Sequence, residues 1–170
     1  MNLKVGCVDV TTSKRKIGIK WRPPLDRFLK FNIDGSLRGN PGPSGIGGIL
    51  RNNDGDTLCI FSSFIGCGIS PAAKVEAILK ACQLCVLDKC PTDVKVIIES
   101  DSKAAVSWVN GVGGVGNVRF LDSIMEIKDI LFRCKPNLVV QYVPKSGNDA
   151  ADFLAKQGAL SGLVQVAWAG

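Results

Sequence analysis

Four carboxylates stand where they could share one cleft. Asp34 follows the apolar run Phe31-Asn32-Ile33 and precedes Gly35-Ser36. Asp101 closes a second apolar run that begins at Val94, Glu76 lies one step from an apolar helical stripe, and Asp152 lies beside Ala151, Leu154 and Ala155. An acid at the carboxyl end of a central strand is held rigidly at the crevice where open α/β sheets bind ligands. Four unpaired carboxylates in one crevice repel and raise each other's pKa, and divalent cations relieve that strain. Mg²⁺ prefers hard oxygen ligands and keeps waters, which leaves room for phosphate oxygens. Two such ions ~4 Å apart activate a water and stabilise the leaving oxygen of a phosphodiester. Mn²⁺ would serve the same ligand set.

Each acid also has an ordinary reading. Asp34 before glycine could form a turn, Glu76 could face solvent, Asp101 could cap the following helix, and Asp152 could be a surface acid. Glu99, Asp149 and Asp54 are assigned to such roles. The chain has no histidine, so Ser-His-Asp and Cys-His machinery and His metal ligands are excluded.

The elements that must position these acids are legible from pattern. Arg27 to Asp34, Gly45 to Arg51 and Thr57 to Gly66 read as three strands of an antiparallel meander, with a turn at Asn52-Asn53-Asp54-Gly55-Asp56. Ser70-Pro71 opens a helix with Ser as its cap, carrying Val75, Ile78, Leu79, Cys82, Cys85 and Val86 at helical spacing, and Pro91 stops it. Asp93 to Asp101 is a fourth strand, apolar on both parities as in a strand buried on both faces. Helices over about Lys103–Val109 and Phe120–Phe132 follow, separated by the glycine-rich stretch Gly111 to Gly116, which has no phosphate-loop Lys. Asn137 to Val143 is a fifth strand, and Asp149 to Gly158 a last helix capped by Asn148 or Ser146. The tail after Gly162 is apolar and ambiguous. Strands covered by helices make an α/β layer architecture.

At 170 residues and 46% hydrophobic, the chain has the length and composition of one folded domain. No apolar run approaches the ~20 residues of a membrane span, and the N-terminus lacks the apolar core of a signal peptide. Eight Lys/Arg against two acids in residues 1–30 account for the entire net charge of +6. Residues 1–24 therefore read as a basic arm and residues 25–170 as the domain, with Pro23-Pro24 as a stiff joint. Such an arm favours polyanions through phosphate contacts, or is only a solubilising tail. Seven cysteines, mostly among apolar neighbours, suit a reducing intracellular compartment, nuclear or cytoplasmic. Cys82-x-x-Cys85 has no second pair at zinc-finger spacing and reads as core.

On these residues the chain resembles the ribonuclease H family, in particular plant domains related to retrotransposon reverse transcriptases, over roughly residues 29–160. The segments are Asn32-Ile33-Asp34-Gly35-Ser36 with Gly39-Asn40-Pro41-Gly42, Lys74-Val75-Glu76-Ala77, Glu99-Ser100-Asp101-Ser102, and Val143 to Ala155. The resemblance implies a ribonuclease H-like, five-stranded mixed sheet in order 3-2-1-4-5 with strand 2 antiparallel, flanked by helices. It implies a two-metal Mg²⁺ endonuclease cutting the RNA strand of RNA/DNA hybrids, with Asp34, Glu76, Asp101 and Asp152 as catalytic metal ligands; a monomer is the separate expectation for its assembly. Gly35, Ser36, Asn40, Ser102, Lys103 and Tyr142 would contact the substrate, Asn40 at the minor groove where 2′-OH groups mark RNA.

Three departures stand beside it. Tyr142 occupies the place of a histidine that many members carry, and tyrosine does not titrate near neutrality. Ala72-Ala73 replace side chains that read the RNA strand. Lys103 replaces a common Gln, keeping phosphate affinity without amide geometry. Tyr142 and Ala72-Ala73 favour the alternative of a catalytically weak or inactive nucleic-acid-binding domain of a retroelement-derived protein, while the presence of all four acids opposes it. A third reading makes the domain a structural or regulatory passenger.

Overall fold

A computed structural model describes residues 20–87, 93–112 and 120–170. Most of the basic arm, Cys7, Cys90, Pro91 and most of the glycine-rich stretch lie outside the described residues. Six strands form one sheet: β1 (Phe28–Leu37), β2 (Gly42–Arg51), β3 (Thr57–Gly68), β4 (Lys95–Ser100), β5 (Leu138–Tyr142) and β6 (Val164–Trp168). Four helices cover it: α1 (Ser70–Cys85), α2 (Lys103–Val109), α3 (Leu121–Cys134) and α4 (Asp149–Ser161).

The sheet order is β5-β4-β1-β2-β3-β6. β1 pairs parallel with β4 and antiparallel with β2, and β4 pairs parallel with β5. The expected order 3-2-1-4-5 is therefore present, with one strand more than expected. The ambiguous tail is β6, antiparallel on β3 with Phe61 opposite Val166. It takes up the row of backbone groups that β3 would otherwise leave open as a sheet edge.

Two element ends also differ from expectation. β1 runs on to Leu37, three residues past Asp34, because β2 continues opposite it through Gly45 and Ser44. Asp34 is at the end of the β1–β4 ladder, whose last pair is Ile33 with Ser100. Ser70 lies inside α1, and Ile69 takes the capping position without a side-chain cap. The αL conformation of Gly162, φ 64°, ends α4.

The two sheet faces are filled differently. Phe31 and Ile33 are fully buried with Val75, Ile78, Ile98, Ile124 and Ile127 in one continuous core. Cys82 belongs to that core as expected; burial, with smaller contributions from Cys134 and Glu126, pushes its thiol up to about 12. On the opposite face α4 rests on backbone rather than side chains. A Cβ at Gly45 would fall 2.1 Å from the Ala159 nitrogen, and one at Gly47 2.3 Å from the Ala155 nitrogen. Because backbone cannot rotate away, Gly47→Ala is expected to destabilise the protein by about 1–3 kcal/mol. Urea denaturation checks this; an unchanged midpoint would show that α4 is loosely seated.

Candidate active site

Asp34 and Asp101 come to the same end of the sheet because β1 and β4 are parallel neighbours, and each acid follows directly on their last pair, Ile33 with Ser100. Asp34 is 1% exposed, and its Oδ1 accepts the Gly35 backbone N–H at 2.8 Å. The cation between the two acids comes from α1. Lys74 Nζ donates to Asp101 Oδ1 at 2.8 Å and also to Asp34 Oδ1. The close approach of α1 to β1 enforces this. A Cβ at Gly35 would lie 2.4 Å from the Ala73 carbonyl carbon and 2.8 Å from the Lys74 nitrogen, so only glycine lets the first turn of α1 settle there.

Burial is the largest influence on Asp34 and raises its pKa, against the lowering by Lys74. Burial alone would lower Lys74. The charges and hydrogen bonds of Asp34 and Asp101 outweigh it and carry the ammonium above the usual lysine value. The positive charge is thus firmly held.

The structure does not bring Glu76 to this pair. A helix advances about 100° per residue, so Lys74 and Glu76 point about 200° apart. Glu76 Oε1 accepts the Ser123 hydroxyl of α3, and Glu76 lines a groove of about 220 Å³ with Ser63, Phe64, Lys80 and Gln83. Glu76→Gln keeps an acceptor for Ser123 and is expected to lose under about 1 kcal/mol. Chemical denaturation at neutral pH measures it; a loss of about 3 kcal/mol would place Glu76 in a buried ionic network.

Asp152, in the first turn of α4, accepts from Lys156 Nζ at 2.6 Å. Lys156 has a raised pKa, chiefly from this hydrogen bond and the Asp152 charge, with Asp34 and Asp149 adding to it. Among the described residues, no group of three or more Asp, Glu, Cys or His could hold a metal ion. The donor set does not fit a pair of divalent ions: two acids meet on an ammonium, the third carries its own lysine, and the fourth lies elsewhere.

The residues expected at the substrate lie around this edge. Gly35 is buried under α1 and Ser36 is half-buried. Asn40 is exposed in the β1–β2 turn. Ser102 caps α2, its Oγ accepting the Ala105 N–H at 3.2 Å. Lys103 Nζ lies 5.1 Å from the ring centre of Tyr142, which is 41% exposed.

Beneath Asp34 runs a buried polar network that sequence reasoning missed. Asn32 donates to Glu99 at 2.9 Å and to Asn148 Oδ1 at 3.2 Å. Asn148 donates to the Ile33 carbonyl at 2.9 Å, and Arg51 to Asn32 Oδ1 at 3.0 Å. Lys30 pairs with Glu99 at 3.2 Å. This ties β1, β2, β4 and the approach to α4 together. Its one sequence signal was a polar Asn inside an apolar strand.

A family profile described as reverse transcriptase-like matches residues 32–158. An Arabidopsis thaliana protein named "Putative ribonuclease H protein" is 30% identical over 152 residues, covering 87% of this chain and 23% of that protein, so the chain spans about a quarter of its length. The structure of LC11-RNase H1, isolated from compost by a metagenomic approach, superposes with a TM-score of 0.73 at 30% identity, covering 79% of this chain and 97% of that one. LC11-RNase H1 in complex with RNA/DNA hybrid superposes with a TM-score of 0.70 at 31% identity, covering 78% and 97%.

Proposed function

The chain belongs to the reverse transcriptase-like family of ribonuclease H-like domains, and from that premise we propose that it binds RNA/DNA hybrids without two-metal hydrolysis of the RNA strand. The observation that carries this reading is Lys74, whose ammonium lies between Asp34 and Asp101 while Glu76 bonds Ser123 on another face. Hybrid recognition is supported by the likeness to LC11-RNase H1, whose complex holds RNA/DNA hybrid. The exposed rim suits it chemically. Lys103 offers a cation for backbone phosphates, and Asn40 and Ser36 offer hydrogen bonds of the kind that detect 2′-OH groups. Tyr142 presents an exposed ring beside Lys103.

Hydrolysis of the RNA strand, with Mg²⁺ or Mn²⁺ held by the acids, is the second reading. The observation in its favour is that Asp34 and Asp101 come together where the β1–β4 pairing stops.

One assay separates the two. The purified chain is incubated with end-labelled RNA/DNA hybrid in Mg²⁺, Mn²⁺ or EDTA, and binding is followed by anisotropy against double-stranded DNA. Hybrid binding with both strands intact is the expected result. Metal-dependent cutting of the RNA strand, lost in Asp34→Asn, would establish the hydrolytic reading instead. Equal affinity for hybrid and for double-stranded DNA would remove hybrid recognition.

A further inference from the structure

We propose that Lys74 is a resident cation: its ammonium fills the place between Asp34 and Asp101 that a divalent ion would otherwise take, which makes this site independent of metal. The inference deepens the reading of the site given above, but it rests on the placement of three side chains and not on hybrid recognition.

The first support is satisfaction. Asp34 Oδ1 accepts from both Lys74 Nζ and the Gly35 N–H, and Asp101 Oδ1 accepts from the same ammonium at 2.8 Å. The oxygens that converge are already committed to nitrogen donors. A metal ion would have to take them from a charged partner, and hydrogen bonds to charged groups are the strong ones.

The second support is tethering. The ammonium is covalently fixed to a helix turn whose backbone presses on Gly35. A tethered partner acts at high effective concentration, so a dilute free ion competes poorly. The Lys74 side chain is 19% exposed and that of Asp34 only 2%. The ammonium can leave only by moving its stem out of the cleft.

The third support is charge. With Lys74 in place the three groups sum to −1. Without it, two carboxylates would face each other, which is the condition that draws a divalent ion. Asp152 repeats the pattern with Lys156 at 2.6 Å.

The test needs no nucleic acid. The parent, Lys74→Ala and Lys74→Asn are titrated with Mn²⁺. Binding is read by paramagnetic broadening of the Gly35 amide resonance and by the change in Tm between EDTA and Mn²⁺. In the parent, the Gly35 signal and Tm are expected to stay unchanged. Lys74→Ala is expected to bind Mn²⁺ about tenfold or more tightly than the parent, with a Tm that rises as Mn²⁺ is added. Lys74→Asn, which keeps a polar side chain, tests the same gain should the alanine variant fail to fold. Saturable broadening at Gly35 in the parent would overturn the proposal. So would folded Lys74 variants that bind Mn²⁺ no better than the parent. Because the samples hold no hybrid, either failure leaves hybrid recognition standing, and failure of hybrid recognition leaves this result standing.

Discussion

Lys74→Met is expected to destabilise the protein by about 3 kcal/mol near neutral pH, because it leaves two poorly solvated carboxylates facing each other without a cation. Methionine keeps the stem length and removes only the charge and the donors. The pH dependence identifies the cause. Lys74 titrates above its usual 10.5, so its contribution is complete below about pH 10.5 and is lost as pH rises through its raised value. Asp34 titrates above its usual 3.8, chiefly because of burial, so its ionisation costs stability progressively as pH climbs from about 3.8 through its raised value. In the variant that cost has no offset. The gap in Tm between parent and variant should therefore open as pH rises from about 4 towards 7 and close above about 10.5. Thermal unfolding of both proteins across that range measures it, and a gap that does not change with pH would remove the ion pair as its source.

Phe31→Ala is expected to cost about 3–5 kcal/mol, the largest effect of any single truncation considered. Phe31 is fully buried, and it meets Phe61 edge-to-face at 5.7 Å between ring centres. Its neighbours across the sheet are Leu50 on β2 and Ile98 on β4, both fully buried as well. Strand backbone fixed on both sides cannot collapse into the space left behind, so the cavity persists. For a chain of this length the Tm should fall by on the order of 10 °C. A loss under about 1 kcal/mol would mean that the sheet relaxes far more than its packing suggests.

The strands and helices of residues 28–161 were legible because their apolar positions follow periods of two or 3.6. The meeting of Asp34 and Asp101 where the β1–β4 pairing stops followed from each acid closing an apolar run. Besides the buried network around Asn32, three things were not legible, each for its own reason. β6 has an alternating sequence, Val164-Gln165-Val166-Ala167-Trp168, but it is largely exposed and gains its strand state from the open edge of β3, which local pattern does not reveal. The run Gly35-Ser36-Leu37 has turn chemistry, yet the ladder with β2 keeps it extended. The third is the phase of α1. Glu76 begins the polar row Glu76, Lys80, Gln83, whereas Lys74 begins the row Lys74, Ile78, Ala81, Cys85 that faces inward. Reading the helix as rows rather than as one apolar stripe would have marked Lys74 as the inward charge. The pressure of α1 on Gly35, which sets the height of Lys74 at the cleft, depends on tertiary approach and has no local signature.

Gly45 and Gly47 act as a spacer of zero thickness. They set how closely α4 lies on the sheet, and so where Asp152 stands relative to Asp34. A saturation scan scored by hybrid affinity would therefore flag both glycines alongside the rim residues, although neither carries a side chain to touch a nucleotide. Scored by abundance instead, the same two positions would rank high while Asn40 and Lys103 fell to background. If the proposed hybrid binding holds, the contrast between the two maps would separate residues that contact the hybrid from those that only set the spacing of α4.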